Sequence, residues 1–286
     1  VPEASLFERI ADRGSPPLVM GVLNVTPDSF SDGGCFTREA DAVAHARRMV
    51  EEGAAILDVG GESSRPGALP VADAGQLARV LPVIAALRAE LPDEVAISID
   101  TRSPRVADAA LAAGADLVND ISAARDPAML EVVARRRAGI VLMHMQGTPE
   151  TMQVAPSYAD VTRELLEFLA GRAGSALRAG IASERILLDP GIGFGKSRDH
   201  NLALLRDLPH FVELGYPVLL GTSRKRFMGA ICRETAPQEL VGATCATTAL
   251  GTAAGVRVFR VHDVKPNRQA VEVAWAVRHA GDGHRR

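Results

Sequence analysis

Residues 95–144 read VAISIDTRSPRVADAALAAGADLVNDISAARDPAMLEVVARRRAGIVLMH. Short apolar runs at 95–99, 117–118 and 140–143 alternate with two longer amphipathic segments at 103–113 and 126–137. Each run has the length of a strand buried on both faces. Pro104 and Pro127 fall just inside the helical segments, where a missing N–H is harmless. Gly114 and Gly139 follow those segments as C-terminal caps do. Each apolar run ends in a polar group: Asp100, then Asn119 with Asp120, then His144.

The same unit repeats outward in both directions. Further apolar runs at 18–25, 55–59, 186–188, 218–220 and 257–261 bring the number to eight. Helical periodicity predicts segments at 37–52, with Thr37 as cap, at 74–90 and at 159–179, with Gly53 and Gly180 behind the first and last. Strict alternation of strand and helix predicts a parallel sheet. Eight units favour closure into a single (β/α)8 barrel over an open doubly wound sheet. The chain has 286 residues, and such a barrel takes about 250. The expected division is an N-terminal segment at 1–17, a barrel at 18–280 and a frayed tail at 281–286.

Composition narrows the function classes. Hydrophobic residues at 47% and charged residues at 23% suit a globular chain with a large core. A net charge of -3 and no basic run longer than 135–137 argue against a nucleic-acid partner. No apolar run approaches the length of a membrane span, and the N-terminus does not read as a signal peptide. Cys35, Cys232 and Cys245 are widely spaced and odd in number, which suits a reducing cytoplasm better than a disulfide framework. The segment 239–255 is rich in Ala, Thr and Gly and almost uncharged after Glu239. It should be buried, against either a second subunit or a terminal segment.

The strand ends carry the functional signal. In order they are Asn24, Asp58, Asp100, Asn119 with Asp120, His144, Asp189, Ser223-Arg224-Lys225, and Arg260 with His262. Active sites of this fold are built from different strand ends at the C-terminal face. One Asp after one strand is an ordinary helix cap, but eight polar endings are not. Asp58 and Asp120 also fit as buried structural carboxylates, and His144 as a satisfied core histidine. No residues are spaced as a zinc site. Glycine-rich loops follow three strands, at 26–34, 60–67 and 190–196. The first two are candidate lids. The third does not open a helix after a first βα turn, so it is not a dinucleotide motif.

These stretches resemble the dihydropteroate synthase family. The matching segments are MGVLNVTPDSFSDGG at 20–34, DVGGESSRPG at 58–67, SIDT at 98–101, ND at 119–120, LMHMQG at 142–147, LDPGIGFGK at 188–196, SRK at 223–225 and RVHDV at 260–264. They occur in order over about 18–280, each at a strand end. The resemblance implies a (β/α)8 barrel, usually a homodimer, acting in folate biosynthesis and targeted by sulfonamides. The implied reaction joins 4-aminobenzoate to a hydroxymethyl-dihydropterin diphosphate, with Mg²⁺ assisting. Small molecules, not nucleic acid or membrane, are the implied partners.

Carried over residue by residue, the resemblance implies Asn24 as the Mg²⁺ ligand. Arg65, Arg260 and His262 would grip the diphosphate. Asp100, Asn119, Met143, Asp189 and Lys225 would hold the pterin, with Asp100, Asp189 and Lys225 catalytic. Phe30, Pro66 and Phe194 would line a 4-aminobenzoate slot. Ser223 would anchor the carboxylate, and Ser64 would reach both substrates. The family commonly has Thr where this chain has Ser64, which keeps the hydroxyl and drops a methyl. The residues by themselves leave other readings open. These are a barrel aldolase with Lys225 as Schiff base, a pterin-binding methyltransferase barrel, and a pterin carrier without activity.

Overall fold

The structure is a computed structural model that describes residues 4–25 and 35–280. The loop 26–34 and the predicted frayed tail at 281–286 lie outside the described residues. Eight strands are present among them: β1 (Leu18–Asn24), β2 (Ile56–Gly60), β3 (Ala96–Asp100), β4 (Leu117–Asp120), β5 (Gly139–Met143), β6 (Ile186–Asp189), β7 (Leu219–Leu220) and β8 (Val258–Val261). All neighbours pair in parallel, in the order β6-β5-β4-β3-β2-β1-β8-β7. A parallel bridge between Leu188 and Val218 joins β6 to β7. The sheet therefore closes on itself, and the fold is the expected (β/α)8 barrel.

Closure follows from strands that have no wet face. Every residue of β2, β3 and β5 is buried. Successive side chains point to opposite faces of a strand. One set, including Leu57, Val59, Ile97, Ile99, Ile140 and Leu142, packs outward under the helices. The other set faces the barrel axis. Its lowest layer is apolar and takes one residue from each strand: Met20, Ile56, Ala96, Leu117, Val141, Leu187, Leu219 and Val258. Helix α1 (Leu6–Ala11) plugs this end with Phe7 and Ile10. Arg257 fastens the plug by donating to the carbonyls of Ile10, Ser15 and Arg9.

Two residues further along, the next inward layer is mostly polar: Asp58, Ser98, Asn119, Asp189 and Arg260, with Gly221 just past β7 and Val22 and Met143 as its apolar members. The barrel thus turns from oil to charge along its axis, which places the site at the C-terminal ends of the strands.

The outer helices are α2 (Cys35–Glu51), α3 (Asp73–Glu90), α4 (Pro104–Ala112), α5 (Ala128–Arg136), α6 (Val161–Arg178), α7 (Arg198–Arg206), α8 (Leu208–Val212), α9 (Arg226–Cys232), α10 (Val241–Ala254) and α11 (Val264–Arg278). Ser103 caps α4 by accepting from the Val106 N–H, directly ahead of the proline. Gly53, Gly114 and Gly180 take the left-handed conformation behind their helices. Three local expectations need correction. Helix α2 already begins at Cys35, so Thr37 lies inside it and is not its cap. Pro127 is the N-cap of α5, not its first helical residue. Gly139 starts β5, and the left-handed residue behind α5 is Arg137 (φ 54°). Gly139 is needed for room instead: a Cβ there would overlap the Phe7 ring.

Helix α10 is buried on one face only. Its inner face is a row of buried threonines, with Thr247 bonded to Thr222 and Thr248 to Asn267 of α11. Its outer face carries Leu250 at 62% exposure, so no terminal segment among the described residues covers it.

The Gly139 contact is testable. Gly139→Ala should destabilise the protein by about 1–3 kcal/mol through overpacking against the plug. Urea unfolding would read this, and an unchanged midpoint would show that α1 does not seat firmly on the barrel.

Candidate active site

The centre of the polar layer is an arginine shared between two carboxylates. Arg260 projects inward from β8. Its Nε donates to Asp58 Oδ2 at 2.6 Å, and one Nη donates to Asp100 Oδ2 at 2.8 Å. Asn119 donates from Nδ2 to the same Asp58 oxygen at 3.0 Å. Strands β2, β3, β4 and β8 are thereby tied together across the mouth. Burial pushes the Asp100 carboxyl up to about 7, against the pull of Arg260. Asp58 Oδ1 and its register partner Ser98 Oγ are buried without a hydrogen-bond partner among the described residues. Such groups call for a polar ligand or ordered water.

A second charged centre lies across the barrel. Asp189 ends β6, and its Oδ1 accepts from the Gly191 N–H at 2.7 Å. Burial raises its pKa, while Lys225 and Lys196 pull the other way. Lys225 follows β7 and donates to the Ile192 carbonyl. Its ammonium stands 4.6 Å from the centre of the Phe194 ring, a cation–π distance. Burial brings its pKa down to about 8, so it remains mostly an ammonium at neutral pH. Gly221 lies between the two centres: a Cβ there would meet Arg260 at 3.8 Å and Asp189 at 4.0 Å, ordinary contact distances. Met143, Ile121, Met145, Met152 and the partly buried Phe194 form an apolar patch beside this centre.

The loop after β6 explains its own glycines. Gly191, Gly193 and Gly195 all have positive φ. A Cβ on Gly191 would overlap the His144 carbonyl, and one on Gly195 the Gln146 carbonyl. The glycines serve close backbone approach between two loops.

At the other rim, Asn24 ends β1. Its Oδ1 lies 3.5 Å from where a Cβ on Gly60 would be, with Asp100 beside it. His262 follows β8, and Ser223 accepts its backbone N–H at 3.1 Å while pairing with its Nδ1 at 3.0 Å. Burial, then Arg260 and Arg224, drive the imidazole pKa down to about 3, so it is neutral. The pairing suits a tautomer with its proton on Nε2, free to donate. Arg65 also acts on this ring by its charge. The loop after β2 is tied by Glu62, which accepts from Val71 N–H and Arg102, and by the Gly67 N–H on the Pro149 carbonyl. Ser64, Arg65 and Pro66 form its crest, with Arg65 and Pro66 exposed. A groove of about 600 Å³ runs back from Asn24 and His262 past Arg48, Arg224 and Lys265.

The structure therefore gathers Asn24, Arg260 and His262 at one rim, and Asp189, Met143, Phe194 and Lys225 at the other, with Asp100 and Asn119 between. Phe30 lies outside the described residues. Ser223 sits on His262, so its hydroxyl already has one partner. Asp120 takes the structural reading: it accepts from the N–H groups of Ser122 and Ala124 and shapes the loop after β4. His144 does too, packed against Phe168 and Tyr158 and bonded to Lys196. Sequence reasoning undervalued Asp58, Gly221 and Lys196. Asp58 carries a legible signal, since it stands at an inward position of its strand, and Gly221 lies one residue past β7. Lys196 is marked only by the LDPGIGFGK match, because a loop buries it.

The donor set fits a divalent ion only in part. No cluster of three or more His, Cys, Asp or Glu among the described residues could hold a metal. One amide oxygen at Asn24 suits Mg²⁺ that arrives with phosphate oxygens and water.

The family described as pterin binding enzyme matches residues 20–262. A dihydropteroate synthase of Synechocystis sp. is 46% identical, covering 96% of this chain and 95% of its own. The dihydropteroate synthase of Xanthomonas albilineans solved with 4-aminobenzoic acid is 47% identical, with TM-score 0.86 over 93% of this chain and 94% of that one. The Yersinia pestis enzyme in a sulfonamide drug complex is 41% identical, with TM-score 0.87 over 93% and 96%.

The shared arginine has a stability signature. Asp100 titrates near 7 in the fold and near 4 in an unfolded chain. The fold thus favours its protonated form, a contribution full below about 4 and lost as pH rises through about 7. Arg260→Met leaves two buried carboxylates unpaired and should cost about 3–5 kcal/mol. Removing the guanidinium raises the carboxyl further, so the penalty should be larger at about pH 8 than at about pH 5. Urea unfolding at the two pH values checks this, and equal penalties would contradict it.

Proposed function

The chain belongs to the dihydropteroate synthase family of pterin-binding enzymes, and from that premise we propose how its residues divide the work. The enzyme is a transferase of folate biosynthesis. It condenses (7,8-dihydropterin-6-yl)methyl diphosphate with 4-aminobenzoate to give 7,8-dihydropteroate and diphosphate. The Schiff-base and methyl-transfer readings give way to this one.

The observation that carries the division is the buried polar layer. A pterin edge offers amino and ring N–H donors next to a carbonyl acceptor. Asp100, Asn119 and Asp189 face it with acceptors, and Lys225 with a donor, in a site too dry to leave any of them unpaired. Met143 lies against the ring. Arg260, locked beneath by two carboxylates, has the remainder of its guanidinium for the substrate. With His262 Nε2–H and Arg65 from the crest of the loop after β2, it grips the diphosphate.

The chemistry is a dissociative displacement. The methylene C–O bond breaks and the diphosphate leaves with the electron pair. Positive charge spreads from the methylene into the ring, where the ionised forms of Asp100 and Asp189 stabilise it. The aryl amine lone pair then forms the C–N bond, and the nitrogen loses its proton. An aryl amine is already neutral at pH 7, so no strong base is required. The amine approaches through a slot between Phe194, the stem of Lys225 and the Pro66 crest; Phe30 is assigned to it by the family resemblance alone. Ser223 and Ser64 serve the carboxylate. Sulfonamides, which mimic 4-aminobenzoate, would occupy the same slot. Mg²⁺ bound with the diphosphate, held by Asn24, would supply neutralisation of the leaving group.

The same reading includes a homodimer in the cytoplasm. Exposed Leu250 on α10 and Val273 and Val277 on α11 lie at one end of two helices joined by Arg278 on the Thr252 carbonyl. That apolar patch suits a second copy. The described cysteines, Cys232 and Cys245, are free thiols, and no described helix is long and apolar enough to cross a membrane.

Diphosphate release should require both substrates and should stop when EDTA removes Mg²⁺. Asp189→Asn and Lys225→Ala should each lower kcat/KM by about a hundredfold or more. Near-normal turnover in both would sink the site assignment. Leu250→Glu should elute as a monomer in light scattering, and an unchanged dimer would place the interface elsewhere.

A further inference from the structure

Lys196 takes no part in the chemistry above, yet it is an expensive side chain to keep. It is 3% exposed. Its ammonium donates to His144 Nδ1 at 3.0 Å, to the His144 carbonyl at 3.3 Å and to the Phe194 carbonyl at 2.9 Å. Its partners are two carbonyls and an imidazole, not a carboxylate. Burial drives the His144 pKa down to about 3, with the Lys196 charge adding to it, so that ring is neutral. A buried ammonium with no carboxylate in hydrogen-bond contact is costly unless all its protons are used, even with the Asp189 charge acting on it from a distance. Burial accordingly pushes the Lys196 pKa well below the ordinary lysine range. A methionine would fill the same volume without that cost.

Three donors meeting three acceptors from two loops is a geometric arrangement. His144 follows β5 and is fixed by Phe168, edge-on at 4.9 Å. Phe194 sits in the glycine-rich loop after β6, where no strand or helix ladder holds the backbone. Side chains hold it instead. Gln153 donates to the Gly193 carbonyl at 2.9 Å, Asn201 accepts from the Gly193 N–H at 2.6 Å, and Tyr158 donates to the Gly195 carbonyl at 2.7 Å. Lys196 is the strut that takes hold of Phe194 itself, and the Phe194 ring is what meets the Lys225 ammonium.

We propose that Lys196 is a positioning residue for the aryl-amine slot, tying the Phe194 backbone to His144 so that the Phe194 ring stands against Lys225 as the slot wall. Tyr158 braces the same loop one residue on. The inference rests on Phe194 being a wall of that slot.

Steady-state kinetics with each substrate varied separates the possibilities. Lys196→Met should raise KM for 4-aminobenzoate about tenfold while KM for the pterin diphosphate stays within about twofold. A folded Lys196→Met with an unchanged amine KM overturns the inference, as does an equal rise in both KM values. Phe194→Ala is the control for the slot. If it leaves the amine KM unchanged, the slot reading is what fails. If it raises that KM and Lys196→Met does not, only the strut fails. Should Lys196→Met not fold, Tyr158→Phe removes a single hydrogen bond from the same loop. A rise of about threefold in amine KM alone supports the bracing, and no change refutes it.

Discussion

The site depends on Arg260 being held from below. A guanidinium buried at the mouth of a barrel is tolerable only where carboxylates answer it. Asp58 and Asp100 answer it from β2 and β3, and Asn119 completes the ring from β4. The same contacts fix two of the side chains proposed to face the pterin. Asp100 cannot drift, because its oxygen is tethered across the barrel. Asn119 cannot rotate, because its amide nitrogen is committed to Asp58. Recognition is thus preorganised by an ion pair whose own contribution to stability is doubtful as a sum, since desolvation offsets attraction.

Such a polar layer needs an apolar foundation. The ring of residues below it and the Phe7–Ile10 plug supply that. The contrast between layers also accounts for what was legible in the chain. Eight apolar runs, each ending in a polar group, specify a parallel barrel and the end where chemistry sits, because strand burial and strand termination are local properties. The pairing of Arg260 with Asp58 is 202 residues apart in sequence and has no local signature. Asp58 therefore read equally as a buried structural carboxylate, and only barrel closure makes it a counter-ion.

The loops show the same limit from another side. The run Gly191 to Lys196 reads as a glycine motif, and glycine motifs suggest phosphate. The positive φ angles were foreseeable, but their reason was not: the loop lies directly on the backbone of the β5 loop. Gly139 is a similar case, read as a cap and used for space. In both, tertiary contact decided what a permissive residue was for. The pterin itself was legible only through family resemblance, since burial and period say where polar groups point and not what they bind.

Charge accounting connects the two centres to the metal. The carboxylates of the mouth are Asp58, Asp100, Asp120 and Asp189, all buried, and its cations are Arg260 and Lys225, both partly buried, with the buried Lys196. Fully ionised, the carboxylates outnumber the cations by one. Asp100 near 7 and Lys225 near 8 leave that balance soft around neutral pH. His262 is neutral because it is buried and has cations around it, which leaves Arg65 as the one uncommitted charge among the residues assigned to the diphosphate. A diphosphate carries more negative charge than a single guanidinium can offset. In the proposed mechanism, a metal delivered with the substrate would supply the rest of the neutralisation. A single amide oxygen at Asn24 is then sufficient from the protein: a carboxylate there would add another anion beside Asp100, and a larger ligand cage would hold the ion after diphosphate has to leave.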